Sequence, residues 1–129
     1  MASPKDTVSA FIADFNKGNQ GMYDAIRAWF TPATIWENVG LATTKGIDEA
    51  VGLVAQFEQG MGIHRIDIEV LSIAADGNRV LTERIDRMYR SDGSVIWAPP
   101  VMGIFEIEND RIAAWRDYFD SAGAQKLAG

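Results

Sequence analysis

The sequence predicts an α+β domain in which a curved, cone-shaped sheet, mixed or antiparallel, wraps around helices that come first in the chain. Three observations carry this. Apolar residues recur at helical spacing through most of the first half. After Gly62 the pattern switches to period two, and turn signals at Asp76–Asn78, Ser91–Ser94 and Glu108–Asp110 divide the second half into successive strands.

The first helix is read from TVSAFIADFNKG, where Val8, Phe11, Ile12 and Phe15 share a face, with Asp6 or Thr7 as N-cap and Gly18 as terminator. The second is GMYDAIRAWF, with Met22, Ile26 and Trp29 or Phe30 on one face and Pro32 stopping it. A short strand, TIWENV, puts Thr34, Trp36 and Asn38 on one side. The third helix, KGIDEAVGLVAQFEQG, turns Ile47, Val51, Val54 and Phe57 or Ala50 inward. Four strands follow: HRIDIEVLSIAAD, NRVLTERIDRMYR, SVIWAPPVMGIFEIEND and RIAAWRDYFD. Gly103 and Pro99–Pro100 are residues that bend a strand, and a bent sheet over helices leaves a cup.

The 129 residues make one domain, with a core large enough to need no staple. The chain has no cysteine, which excludes thiolate chemistry and disulfides and fits a cytoplasmic protein. A net charge of −6 argues against nucleic acid, which calls for a basic face. The first residues, MASPKDTVSAF, lack a signal peptide's apolar core. The longest apolar run, Val95–Phe105, is too short for a bilayer and holds two prolines, so no membrane is expected.

One strand departs from simple patterning. RVLTERIDRMYR places Val80, Thr82, Arg84, Asp86 and Met88 on one side. In the last strand Asp117 shares a side with Ala113, Trp115 and Phe119, which is poor company for a solvated acid. Polar residues set among Trp, Phe, Met and Val resemble the wall of a small-molecule pocket. The plainer alternative is a surface Arg–Asp pair at i, i+2, worth about 1 kcal/mol or less, with Asp117 a buried acid held by backbone donors. His64 has no partner histidine or carboxylate cluster and reads as structural. Phosphate loops, nucleophile elbows and metal-ligand spacings are missing from the sequence.

Arg84-Ile85-Asp86, together with Asp117 in WRDYF, resembles the triad of the limonene-1,2-epoxide hydrolases, a branch of the NTF2-like (SnoaL-like, cystatin-like) fold. The resemblance covers nearly the whole chain. It implies that Asp117 takes a proton from water, Asp86 gives one to the epoxide oxygen, Arg84 bridges the two, and Asn38 positions the water. The family's Tyr-x-Asn becomes Trp36-Glu37-Asn38 here, so an indole, which only donates, stands where a phenol donates and accepts. The implied substrate is an apolar terpene-like, sterol-like or cyclic epoxide, lined by Trp36, Val80, Met88, Phe105, Trp115 and Phe119. The resemblance implies no cofactor or metal, and a homodimer formed through the outer sheet face, with Ile104, Tyr89 and Tyr118 compatible with it. On the same fold, an isomerase or polyketide cyclase, a polyether-type cyclase opening epoxides with an internal hydroxyl, and a non-catalytic ligand-binding module remain as alternatives.

Overall fold

Ser3 opens the first helix rather than Asp6 or Thr7. Its hydroxyl accepts from the Asp6 backbone N–H while the Asp6 carboxylate accepts from that of Ser3, a reciprocal cap that fixes where α1 (Pro4–Phe15) begins. Asn16, not Gly18, caps its end, and Gly18 instead begins α2 (Gly18–Trp29). The computed structural model describes residues 2–128. The chain continues through β1 (Phe30–Asn38), β2 (Ala42–Lys45), α3 (Gly46–Met61), β3 (Arg65–Asp76), β4 (Arg79–Tyr89), β5 (Val95–Trp97), β6 (Pro100–Glu108), β7 (Arg111–Tyr118) and α4 (Ser121–Ala128). Helix α3 ends on Gly62 in the left-handed region (φ 68°), where a β-carbon would be strained.

One sheet holds all seven strands, in the order β2-β1-β7-β6-β4-β3, with β5 also paired to β4. Neighbours are antiparallel except β1 and β7, so the sheet is mixed. The expected single strand from Ser94 to Asp110 is two. Along one edge of β4, β6 pairs with Arg79–Ile85 and β5 with Met88 and Tyr89. Pro99 and Pro100 mark the break, because proline has no N–H for a ladder bond. Strand β2 and helix α4 were not expected from the sequence; both are short.

The helices pack into the concave face. Val8, Phe11, Ile12 and Phe15 of α1 are buried as expected, as are Met22 and Ile26 of α2. On α3 the fully inward residues are Ala50, Leu53 and Val54, while Ile47, Val51 and Phe57 are only partly buried. Asn16 ties α1 to β3, giving its amide N–H to the Ile68 carbonyl (2.9 Å) and accepting the Ile68 N–H (2.7 Å).

Candidate active site

Strand register assembles the site from two adjacent rows of inward side chains. One row runs Val80, Phe105, Trp115, Trp36 across β4, β6, β7 and β1, and the next runs Thr82, Gly103, Asp117, Asn38 across the same strands. The first row is aromatic and stacked. The Trp115 ring lies 5.1 Å from Phe105 (18° between planes) and 4.8 Å from Trp36 (6°). Phe11 of α1 meets Phe105 and Trp115 edge-on, sealing this row into the core.

Arg84, one step further along β4, folds back over the second row. It is completely buried, and Asp86 and Asp117 are 8% and 4% exposed, so the cluster is not a surface ion pair. All five guanidinium N–H groups have acceptors. Nε donates to Asp86 Oδ1 (3.1 Å), Nη1 to Thr82 Oγ1 (3.3 Å) and Asp117 Oδ1 (2.9 Å), and Nη2 to Asp86 Oδ2 (2.7 Å) and Asp117 Oδ2 (2.8 Å). The planar fork gives each acid two bonds at once, which the three donors of an ammonium cannot do. Trp115 adds a third donor to Asp117, from its Nε1 to Oδ1 at 2.7 Å.

Burial pushes the Asp86 carboxyl above the usual carboxylate range; the charge and hydrogen bonds of Arg84 pull against this, and the Asp117 charge adds to it. For Arg84, burial works against the charge, but the two carboxylates outweigh it and hold the guanidinium protonated beyond the ordinary arginine range. One cation facing two buried acids favours retention of a single proton, since a second ionised acid would leave an unpaired charge in an apolar setting.

Beside this cluster lies an apolar pocket enclosing about 590 Å³, open mouth included. Trp36, Asn38, Asp86, Met88, Trp115, Asp117 and Phe119 line it, as the sequence suggests. Val80 and Phe105 do not. Both are fully buried in the aromatic row and belong to the core, whereas Trp115 and Trp36, at the β7–β1 end of the same row, reach the hollow. Sequence reasoning missed Phe15, Phe57, Met61, Ile63, Ile66, Ile68, Leu41, Trp97, Pro99 and Val101 as lining. Their apolar character is legible, but which side of α1, α3 and β3 faces the hollow is set by how the helices dock.

Trp36 and Asn38 do sit together at the site, in register with Trp115 and Asp117. The Trp36 Nε1–H and the Asn38 Nδ2 are buried and have no acceptor among the described residues. Two orphaned donors at a pocket wall suit an oxygen arriving from outside, whether of water or substrate. His64 is exposed and takes part only through its backbone N–H, which donates to the Tyr89 carbonyl (2.8 Å).

Gly103 has a role the sequence did not reveal. A β-carbon there would lie 2.5 Å from Asp117 Oδ1 and closer still to Arg84 Nη1. The glycine is the floor on which the guanidinium rests.

Comparisons with known proteins fit this arrangement. Over 99 residues, 76% of this chain, the sequence is 33% identical to Epoxide hydrolase EphG of Mycobacterium tuberculosis. The match spans 62% of that relative, less than two-thirds of its length. An M. tuberculosis LEH-like epoxide hydrolase superposes with a TM-score of 0.74 at 30% identity, over 95% of this chain and 86% of that one. An NTF2-like protein from Burkholderia pseudomallei shares the fold, with a TM-score of 0.79 at 19% identity over 99% and 98% of the two chains. Residues 2–126 match the family model of the Limonene-1,2-epoxide hydrolase catalytic domain. With the whole inner sheet accounted for, the chain belongs to the limonene-1,2-epoxide hydrolase family.

Proposed function

We propose that this protein is an epoxide hydrolase that opens an apolar, cyclic or terpene- or sterol-like epoxide to a vicinal diol by direct attack of water. The observation that carries the reading is Arg84 clamped between two buried acids at the edge of an apolar pocket. Opening the ring needs a proton acceptor for water and a proton donor for the departing oxygen. Asp117 is the base and Asp86, whose carboxyl burial pushes above the usual carboxylate range, is the acid. Arg84 has no N–H left to offer a substrate, so its work is to hold the acids.

In the step itself, Asp117 takes a proton from water and the freed O–H electron pair forms the new C–O bond. The epoxide C–O bond breaks, and its oxygen takes the Asp86 proton. Asn38, with the Trp36 N–H beside it, holds the water oxygen. Both acids share Nη2 of Arg84, which places their Oδ2 atoms on one nitrogen and gives the proton a short way back.

A single turnover in ¹⁸O-labelled water tests the mechanism. One label should enter the diol at once, and none should come from protein labelled beforehand. A first-turnover diol carrying protein oxygen would replace direct attack with a covalent ester.

The same reading includes a homodimer formed through the outer sheet face. Leu81, Met102 and Tyr118 lie exposed there (40%, 51% and 49%), while Tyr89 and Ile104 are half-buried. Sedimentation of wild type and of a Leu81→Glu/Met102→Glu variant decides it: the pair should pass from dimer to monomer. A cysteine-free chain suits a reducing cytoplasm. Among the described residues, no helix is long and apolar enough to cross a membrane.

A further inference from the structure

We infer that Trp115 is a positioning residue for the hydrolysis, and that it leaves Oδ2 of Asp117 as the single oxygen that receives the proton from water. The inference rests on the reading of Asp117 as the base. A carboxylate offers about two acceptor sites on each oxygen. Both sites of Asp117 Oδ1 are taken, by Arg84 Nη1 at 2.9 Å and Trp115 Nε1 at 2.7 Å. The same oxygen is pressed against Gly103, where an added β-carbon would stand 2.5 Å away. Oδ2 carries one bond, from Arg84 Nη2 at 2.8 Å, and keeps a free site.

The indole is suited to the task because it cannot move. Trp115 is 1% exposed and stacked between Phe105 and Trp36, with Phe11 and Phe15 against it edge-on. Arg84 approaches Asp117 with two parallel bonds, which align the carboxylate with the guanidinium. The Trp115 N–H comes from the adjoining row on the same strand, two residues away, and ties the carboxylate to β7 as well. A base held in this way meets the water in one orientation, and misplacement of a reacting group by about 1 Å costs on the order of a hundredfold in rate.

The neighbouring pair on β1 repeats the spacing without the bond. Trp36 and Asn38 are in register with Trp115 and Asp117, yet the Trp36 N–H has no acceptor among the described residues. Of the two stacked indoles, the one on β7 is therefore committed to the base, and the one on β1 stays available to an incoming oxygen.

The test replaces Trp115 site-specifically with benzothienylalanine, which keeps the ring shape and substitutes sulfur for the N–H, alongside Trp115→Phe. With a cyclic epoxide, both should lower kcat about ten- to hundredfold, the range for losing a bond to a charged group, and leave KM within about twofold. A role confined to packing would instead spare kcat in the benzothienyl protein, whose stack is intact. The ¹³Cγ-aspartate resonance of Asp117, assigned by its loss in Asp117→Asn, reads the carboxylate without any substrate and should shift in the benzothienyl protein. An unchanged kcat or an unmoved Asp117 resonance overturns the inference. Should wild type open no epoxide, the hydrolase reading fails and the proton-acceptor part of the inference with it, while the resonance still decides whether Trp115 holds the carboxylate.

Discussion

Gly103 and Arg84 fit together so closely that the backbone of one strand forms the seat for the guanidinium of its neighbour, and no side chain larger than hydrogen has room at residue 103. The close approach, rather than any bend, is the reason for glycine at this point of β6. Gly103→Ala should displace the guanidinium, cost about 1–3 kcal/mol of stability through overpacking and lower kcat about a hundredfold. Thermal denaturation and turnover of one epoxide check both; an alanine variant with unimpaired turnover would mean that Arg84 need not lie where it does.

Arg84→Lys keeps the charge and loses the fork. An ammonium has three donors for five contacts, so at least two go unmade and the paired bonds to the two acids cannot all be kept. Activity should fall about a hundredfold or more while the protein still folds. Arg84→Ala is the harsher change, since it leaves two buried acids without a cation and should destabilise by about 3–5 kcal/mol.

Activity should depend on pH through Asp86. The acid must carry its proton, and burial raises its pKa, so kcat/KM should fall as pH rises through that raised value rather than near the ordinary aspartate value of about 3.9. The linkage has the same sign. Asp86 holds its proton in the folded state at pH values where the unfolded chain has released it. Its contribution to stability is therefore complete below about 3.9 and is lost as pH rises through the folded value. Asp86→Asn cannot titrate, so it should lose both this part of the stability slope and the activity. Denaturation midpoints across the pH range, set beside the pH–rate profile, measure the two.

Core and pocket should separate cleanly in mutants of phenylalanine. Phe105 is fully buried in the aromatic row, and Phe105→Ala should cost about 3–5 kcal/mol of stability. Phe119 is half-buried, lines the pocket and packs edge-on against Trp97 at 5.9 Å. Phe119→Ala should leave stability closer to wild type and shift the preference between small and bulky epoxides about ten- to two-hundredfold. Measuring kcat/KM for a graded panel of epoxides with each variant distinguishes the two positions.

Much of this architecture is legible from local pattern. Val8, Phe11, Ile12 and Phe15 follow the helical period, and α1 forms where they lie. The alternation in RVLTERIDRMYR puts Val80, Thr82, Arg84 and Asp86 on one side, and all four are buried. What pattern misreads is local competition. Asp6 has the chemistry of an N-cap, but Ser3 takes that place and Asp6 completes the capping box three residues on. The run from Val95 to Phe105 is apolar throughout and reads as one strand, yet its prolines cannot supply the N–H groups that a continuous strand requires.

The sequence by itself determined the inventory: an α+β chain with one arginine and two aspartates set among apolar residues on strand faces. Alternation has a period of two, so it fixes which side chains share a side of one strand. It says nothing of which strand comes next, because pairing is a non-local contact between distant segments. Only the tertiary structure laid β7 between β1 and β6, bringing Asp117 within reach of Arg84, Trp115 under Trp36, and Gly103 beneath the guanidinium. Val80 and Phe105 share their strand faces with the site and still fall outside the pocket: Phe105 lies edge-on against Phe11 of α1, while Trp115 and Trp36 of the same row reach the hollow.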